Sequence, residues 1–232
     1  VPDTSETITL SAGQGVADST TAVVPNGTAG EVTTMTITVR DGTGNPVTGW
    51  ADSLAVSITG ANTATATITD NGDGTYTATY VPTVSGADNV AITLNGDPIV
   101  DSSFESTVTA GAASTLTITT EPSTTAQSGT ALLQQPVVQV RDTLGNAVSQ
   151  ADIAVTATVF PGTGTLGGTV TVNTDAAGVA TFTNLAISGT TGSYTLAFSA
   201  TGLVSDTSTT VTLDAGQGIA DSTTAVVPDG VA

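Results

Sequence analysis

The acidic side chains are the residues of this chain best able to do chemistry, because most other reactive types are missing. The chain has 20 Asp and Glu residues, no Cys and no His, and its only two basic residues are Arg40 and Arg141. Thiol nucleophiles, thiolate metal sites and the imidazole general base are therefore excluded. Paired carboxylates remain possible, but they would need a cleft. We therefore expect no enzymatic activity.

One acidic loop has the composition of a calcium site. Oxygen-bearing side chains alternate with glycine in Asp70-Asn71-Gly72-Asp73-Gly74, but the loop lacks the distal bidentate Glu of an EF-hand. Asn-Gly and Asp-Gly pairs between two alternating runs are typical of a tight turn between strands. We interpret this loop as a hairpin turn.

A second group of acidic residues falls near the ends of the repeated units described below: Asp18, Asp97, Asp101, Glu105, Asp214 and Asp221. Calcium bridging these groups would stiffen a chain that repels itself through its net charge of −18. Acidic residues that serve only solubility would give the same pattern. Calcium therefore remains an alternative without a specific ligand set.

The acidity also restricts the macromolecular partners. A surface with this net charge repels phosphate backbones and anionic lipid headgroups. No apolar run approaches the roughly 20 residues that span a bilayer. We expect neither nucleic-acid binding nor membrane insertion in this segment.

Three other residues have two possible roles each. Arg40 and Arg141 occupy equivalent positions of a repeated motif, which favours a structural ion pair with a nearby carboxylate over a ligand-binding role. Trp50 is the only Trp and follows a turn. We interpret it as core or junction packing, with an exposed binding aromatic as the alternative.

Apolar residues alternate with Thr in short runs, which is the pattern of half-buried β-strands. Clusters of Asp, Asn and Gly separate the runs and indicate turns. About seven such strands per 100 residues predict an all-β fold of β-sandwich domains. The clearest runs are Met35-Ile37-Val39, Tyr76-Ala78-Tyr80, Val90-Ile92-Leu94, Leu116-Ile118 and Tyr194-Leu196-Phe198.

The strongest signal in the sequence is a long internal repeat. Val1–Ala29 aligns without a gap to Val204–Ala232, with 22 of 29 positions identical. A weaker repeat divides this period of 203 residues: Val39–Val47 recurs as Val140–Val148. Each half of the period is therefore predicted to be one domain.

These offsets predict four segments. Residues 1–10 form the closing strand of a preceding repeat, 11–110 the first domain, 111–213 the second domain, and 214–232 the start of the next repeat. We expect a hinge near 110–113 and a sequence that continues beyond both ends.

The first domain resembles a known family. Asp70-Asn71-Gly72-Asp73-Gly74-Thr75-Tyr76, followed by Tyr80-Val81-Pro82 and Gly86, is similar to the filamin-type immunoglobulin repeat. Gly96-Asp97-Pro98-Ile99 and Ser102-Ser103-Phe104 resemble its closing segment, although Ser103 stands where that family usually has Pro. Filamin repeats are structural sandwiches, so the resemblance implies spacer and scaffold roles.

The second domain resembles the immunoglobulin-like repeats of large bacterial surface proteins. The similar stretches are 138–142, 174–182 and 192–194, which hold mostly turn and core positions. The resemblance implies tandem immunoglobulin-like β-sandwich domains. No partner-binding residues can be transferred from either family.

The repeats and the resemblances lead to one functional expectation. We expect a structural repeat segment of an extracellular or cell-surface fibre, filament, sheath or stalk, acting as spacer and scaffold. The alternative is an adhesin whose repeats bind a surface, a glycan or a partner protein. Such an adhesin would need an exposed aromatic or charged patch.

The ends of the chain carry the residues expected to mediate assembly. Ile8 and Leu10 alternate with Thr, as do Val211 and Leu213 one period later. An isolated strand leaves backbone groups unpaired along both edges. We therefore expect the partners of this segment to be copies of itself, joined in tandem or by strand pairing between subunits.

Overall fold

A computed structural model describes residues 11–215 of the chain, and their regular secondary structure is almost entirely β-strand. Within them the only helices are two single turns of 3₁₀ type, Ala17–Ser19 and Ala51–Ser53. The fold divides into two compact units, the first ending at Gly111 and the second beginning at Ala112. The predicted all-β fold of sandwich domains is confirmed. No helix within residues 11–215 is long and apolar enough to cross a bilayer.

Domain 1 contains ten strands in two sheets. One sheet has the order β1-β3-β7-β6, and the other has the order β2-β10-β8-β4-β5, with β9 paired to β8. The strands are β1 Thr21–Val23, β2 Gly27–Thr28, β3 Thr33–Thr38, β4 Leu54–Gly60, β5 Ala64–Thr65, β6 Thr67–Asp70, β7 Thr75–Tyr80, β8 Gly86–Leu94, β9 Asp97–Pro98 and β10 Phe104–Thr109.

The alternation seen in the sequence explains why these strands form. On β3, Met35 and Ile37 are buried while Thr34 and Thr36 are exposed. This period of two places every apolar side chain of the strand on one face. The inward faces of the two sheets then meet in one core, which includes Tyr76 from β7 and Ile92 from β8.

Domain 2 contains eleven strands in three sheets. Its sheets have the orders β11-β13-β17, β12-β21-β19-β14-β16 with β20 paired to β19, and β15-β18. The strands are β11 Thr115–Thr120, β12 Thr125–Gln127, β13 Val137–Arg141, β14 Ala154–Phe160, β15 Thr165–Gly167, β16 Thr171–Asn173, β17 Val179–Thr181, β18 Ala186–Ser188, β19 Gly192–Ser199, β20 Asp206–Thr207 and β21 Val211–Asp214.

The core of domain 2 is built around two phenylalanines. Phe182 and Phe198 are both fully buried, and their ring centroids lie 5.3 Å apart in a tilted arrangement. Such tilted pairs place the positive edge of one ring near the negative face of the other. Leu196 and Val140 complete the same core from the two sheets.

In both domains the first two strands belong to different sheets. In domain 1, β1 pairs with β3, and β2 then pairs in parallel with the closing strand β10. In domain 2, β11 pairs with β13, and β12 then pairs in parallel with the closing strand β21. The chain entering each domain therefore contacts both sheets, and the last strand lies inside a sheet with a neighbour on each side.

Candidate functional site

The motif that occurs at 39–47 and again at 140–148 forms a turn in each domain. Each turn binds the first residues of its domain through hydrogen bonds. In domain 1 this turn follows β3, and its centre is the buried carboxylate of Asp41. Asp41 Oδ1 accepts hydrogen bonds from the backbone amides of Thr43 and Asn45, both at 2.9 Å. Its Oδ2 accepts one from the amide of Gly13, 28 residues earlier in the chain, also at 2.9 Å. Asp41 thus ties the leading segment of domain 1 to the turn.

These hydrogen bonds change the acidity of Asp41. The amide of Gly13 contributes most, followed by the side chains of Asn45 and Thr43, and together they hold the pKa of the carboxyl well below its usual range. Donors that favour the charged form outweigh the opposing effect of desolvation. The turn therefore keeps its carboxylate ionised down to strongly acidic pH.

Domain 2 repeats the turn around Asp142. Its Oδ1 accepts from the amides of Leu144 at 2.9 Å and Asn146 at 2.8 Å, and Oδ2 accepts from Asn146 Nδ2 at 2.8 Å. Each turn has a glycine with positive φ just before its Asn, +89° at Gly44 and +87° at Gly145. Residues with a side chain rarely adopt this conformation, which explains why the motif has Gly there.

Each of the two arginines donates a hydrogen bond to a backbone carbonyl of its own turn. Arg40 Nη1 donates to the carbonyl of Gly44 at 3.1 Å, and Arg141 Nη1 donates to the carbonyl of Gly145 at 2.7 Å. Each arginine therefore supports its own turn, and a carboxylate partner stays a prediction. An Arg side chain reaches the carbonyl of the glycine four residues later, because the turn folds that carbonyl back toward the strand.

Trp50 has a packing role. Its side chain is half-buried and packs against the core of domain 1, and its backbone amide donates to the hydroxyl of Tyr76 at 3.1 Å. A side chain on Gly15 would meet the indole ring at 3.2 Å, so the leading segment passes directly over this ring. The interpretation of Trp50 as a packing residue is confirmed.

The acidic loop 70–74 is the hairpin turn between β6 and β7, as interpreted from the sequence. The oxygens of Asp70 accept from the amides of Gly49 at 2.6 Å and Gly72 at 2.8 Å. Asp73 Oδ1 accepts from the side chain and the amide of Thr75, and these bonds lower the pKa of Asp73. The carboxylates therefore hold the turn together.

The acidic residues near the domain ends do not converge within the described part of the chain. No group of three or more Asp or Glu side chains between residues 11 and 215 is arranged to hold a metal ion. Asp221 lies outside the described residues.

A buried polar cluster in domain 1 was not identified from the sequence. Asp88 is 0% exposed, and its carboxylate accepts from the amide and Nδ2 of Asn62 and from the hydroxyl of Tyr80 at 3.0 Å. Asn62 Oδ1 in turn accepts from the amides of Thr83 and Val84. Burial and the bond to Asp88 raise the pKa of Tyr80. The available signal was an Asp at an inward position of an alternating strand, where an apolar residue is expected.

The predicted assembly residues of the second domain lie on its closing strand. Val211 and Leu213 are buried on β21, between β12 and β19. Ile8 and Leu10, their counterparts one period earlier, lie outside the described residues.

Two shallow hollows on domain 2 have exposed apolar side chains at their rims. One, of ≈ 380 Å³, lies beside β12 and includes Leu133, which is 93% exposed, and Asp214. The other, of ≈ 200 Å³, includes Phe160, which is 69% exposed, and Tyr194. Among residues 11–215, neither hollow is lined by a pair of carboxylates.

Comparisons with known proteins agree with this geometry. Residues 11–105 match the family profile of the Filamin/ABP280 repeat, and residues 111–212 match that of the SMCHD1 Ig-like domain 6. No curated protein sequence matches the chain.

Two solved structures illustrate the fold. FdeC, an adhesin of Escherichia coli, is 25% identical, with a TM-score of 0.54 over 90% of this chain and 67% of its own. Invasin, a bacterial integrin-binding protein, is 19% identical with a TM-score of 0.52; the match covers 88% of this chain but only 41% of invasin, and it shows the fold alone. The chain thus contains two successive immunoglobulin-like domains, which are similar to those of bacterial surface adhesins, and its first domain matches the filamin-type repeat.

Proposed function

We propose that this chain is a structural repeat segment of an extracellular or cell-surface fibre, filament, sheath or stalk, in which it acts as spacer and scaffold. The observation that carries the proposal is the recurrence of residues 1–29 as 204–232, with 22 of 29 positions identical. Near-identical successive copies add length, whereas a specialised binding site is needed in one copy only.

The geometry of domain 1 supports a role in extending the chain. The chain enters beside the Asp41 turn, where β1 pairs with the end of β3. It leaves along β10, which runs past Gly86 at the opposite end of β8. Entrance and exit therefore lie at opposite ends of the sandwich, so the domain adds its full length to the path of the chain.

The entrance and exit of domain 2 also lie at opposite ends of the domain. Its first residues lie beside the Asp142 turn, where the amide of Ser114 donates to the carbonyl of Arg141. Its last strand β21 pairs Leu213 with Gly192 at the start of β19, far from that turn. Domain 2 therefore also adds its own length to the path of the chain.

Electron microscopy of native surface material tests the proposal. Antibodies against residues 11–215 should decorate extended rods or filaments at a regular spacing, because each period of the repeat presents the same epitopes. Label confined to a compact particle, or to the tip of an unlabelled stalk, would contradict the spacer function.

A second candidate function is adhesion by the repeats themselves. It is favoured by the similarity to FdeC, an adhesin, over 90% of this chain. Leu133 and Phe160 are the most exposed of the large apolar side chains described on domain 2, and a binding surface there would use them. We would measure binding of the chain to host cells, comparing it with L133D and F160A; binding that both variants retain would exclude these two side chains.

We propose no catalytic function. The reactive side chains are restricted to carboxylates and hydroxyls, and the carboxylates at Asp41 and Asp73 have lowered pKa values that suit structural acceptors. A general acid at neutral pH needs a raised carboxyl pKa instead.

A further inference from the structure

The closing strand of domain 2 makes an unusually complete set of contacts for so short an element. Val211 is 0% exposed and Leu213 is 1% exposed. β21 pairs antiparallel with β19 on one side and parallel with β12 on the other. Removing it would expose the edges of both neighbours and open the core.

The residues just before β21 extend these contacts to the other sheet. The carbonyl of Val204 accepts from the amide of Leu116, and the amide of Val204 donates to the carbonyl of Ser114, both at 2.9 Å. Asp206 Oδ2 accepts from the amide of Ile118 at 2.8 Å. Residues 204–206 therefore bind β11 of the first sheet.

Ser208 continues this segment on the second sheet. Its Oγ accepts from the amide of Leu196 at 2.9 Å, and its own amide donates to the carbonyl of Leu196 at 2.8 Å. The segment 204–213 thus joins the sheet of β11 to the sheet of β19 through a small number of identifiable residues.

The first ten residues of the chain have the same residues in the same order. Val1, Asp3, Thr4, Ser5 and Leu10 are identical to their counterparts at 204, 206, 207, 208 and 213, and Ile8 replaces Val211 conservatively. Each residue of 204–213 named above, with the same or a similar side chain, therefore recurs in the sequence of Val1–Leu10.

Domain 1 is not a suitable acceptor for this strand. Its own closing strand β10 places Ser106 opposite the buried Asp88, where β21 of domain 2 places Val211 opposite Tyr194. A strand with Ile at that position would put a branched apolar side chain against a buried carboxylate. This mismatch gives the strand a preference for domain 2.

We propose that Val1–Leu10 is a closing strand for the second domain of another copy of this chain, where it takes the place of Val204–Leu213 between β12 and β19. A strand with nearly the same sequence as the resident one needs no new kind of contact in the acceptor. The inference concerns how copies join, and it can fail while the spacer function stands.

One sequence difference favours the resident strand 204–213 over the exchanged strand 1–10. Thr209 donates from its amide and hydroxyl to Glu121 Oε2, at 3.0 Å and 3.2 Å. The corresponding residue of the first segment is Glu6, which brings a second carboxylate toward Glu121. The resident strand therefore outcompetes the exchanged one, and E6T should increase the exchange.

Disulfide trapping tests the proposal directly, because the chain has no Cys of its own. Ser193 and Thr212 are exposed partners on β19 and β21, and Thr9 corresponds to Thr212. T9C with S193C, in a chain whose resident strand is weakened by V211D and L213D, should give disulfide-linked dimers and longer ladders on a non-reducing gel. Adding I8D and L10D to that chain should abolish the ladder.

Two further samples make the result decisive. S193C with T212C in the native background should cross-link within one chain and run as a monomer, which establishes that the pair is within disulfide reach. T9C with S193C in the native background, refolded after heating at high concentration, should give dimers whose yield rises with concentration and with E6T. Absence of dimers in both T9C samples, cross-linking within one chain only, or ladders that survive I8D and L10D would overturn the proposal.

Discussion

The two domains fill their cores with different side chains on equivalent strands. The strand after the hairpin turn in domain 1 points Tyr76 inward and then Ala78. The equivalent stretch of domain 2 reverses the sizes, with Ala180 first and Phe182 second. Total side-chain volume at the two positions is thus nearly kept while its distribution changes. A shared backbone arrangement accepts either solution, provided that the facing side chains adjust.

The two domains also differ in the polarity of one inner position. Asp88 and Tyr194 each lie two residues after the glycine that begins their strand, and both point inward. Domain 1 satisfies its carboxylate with Asn62 and Tyr80, whereas the Tyr194 hydroxyl donates to the carbonyl of Thr190. Domain 1 therefore depends on a hydrogen-bonded cluster where domain 2 uses an aromatic ring.

The largest expected effect tests the core of domain 2. F182A should destabilise domain 2 by about 3–5 kcal/mol, since it removes a buried ring and leaves a cavity beside Phe198. The matched control is F160A, because Phe160 is 69% exposed and Phe182 is 1% exposed. Calorimetry should show one transition shifted strongly by F182A and hardly at all by F160A. Equal shifts would refute the assignment of the core.

The second prediction compares the hydroxyls of Tyr80 and Tyr194, which donate to different kinds of acceptor. Y80F removes a donor to a carboxylate and should lower the free energy of unfolding of domain 1 by about 1.5–3 kcal/mol. Y194F removes a donor to a backbone carbonyl and should lower that of domain 2 by about 0.5–1.5 kcal/mol. Trp50 is the only Trp and lies in domain 1, so its fluorescence follows the unfolding of domain 1. A smaller loss of unfolding free energy for Y80F than for Y194F would show that the hydrogen bond from Tyr80 to Asp88 does not stabilise domain 1 as predicted.

These contrasts also show which features are encoded locally. The alternation of Met35 and Ile37 with Thr, and the hairpin signal of 70–74, depend on residues adjacent in the chain, so the sequence alone predicted them. The partners of Asp88 come from β7 and from the loop between β4 and β5, which only the folded sheets bring together. The bond from Gly13 to Asp41 spans 28 residues and is likewise invisible to a local pattern.

The third prediction concerns pH and domain 1. The pKa of Asp41 is lowered in the folded state, so the carboxylate stabilises domain 1 at any pH above its unfolded value of about 3.9. This contribution decreases as pH falls below about 4, because the unfolded chain then binds the proton more readily than the folded one. Fluorescence melts of Trp50 should show a lower Tm for domain 1 at pH 2.5 than at pH 5. D41N should lower the Tm at pH 5 and reduce this pH dependence, whereas D97N, at an exposed Asp, should leave both unchanged.

The smallest expected effect concerns Arg40 and Arg141, which occupy equivalent positions in the two domains. Each guanidinium makes a hydrogen bond to a glycine carbonyl of its own turn at the protein surface. Exposed bonds of this kind contribute little, because water replaces the lost donor. R40A should therefore cost domain 1, and R141A domain 2, less than about 0.5 kcal/mol each. Urea unfolding followed by Trp50 fluorescence measures the first, and calorimetry measures the second. A loss above about 1 kcal/mol in either domain would mean that the side chain does more than support its turn, and the two turns would then no longer be equivalent.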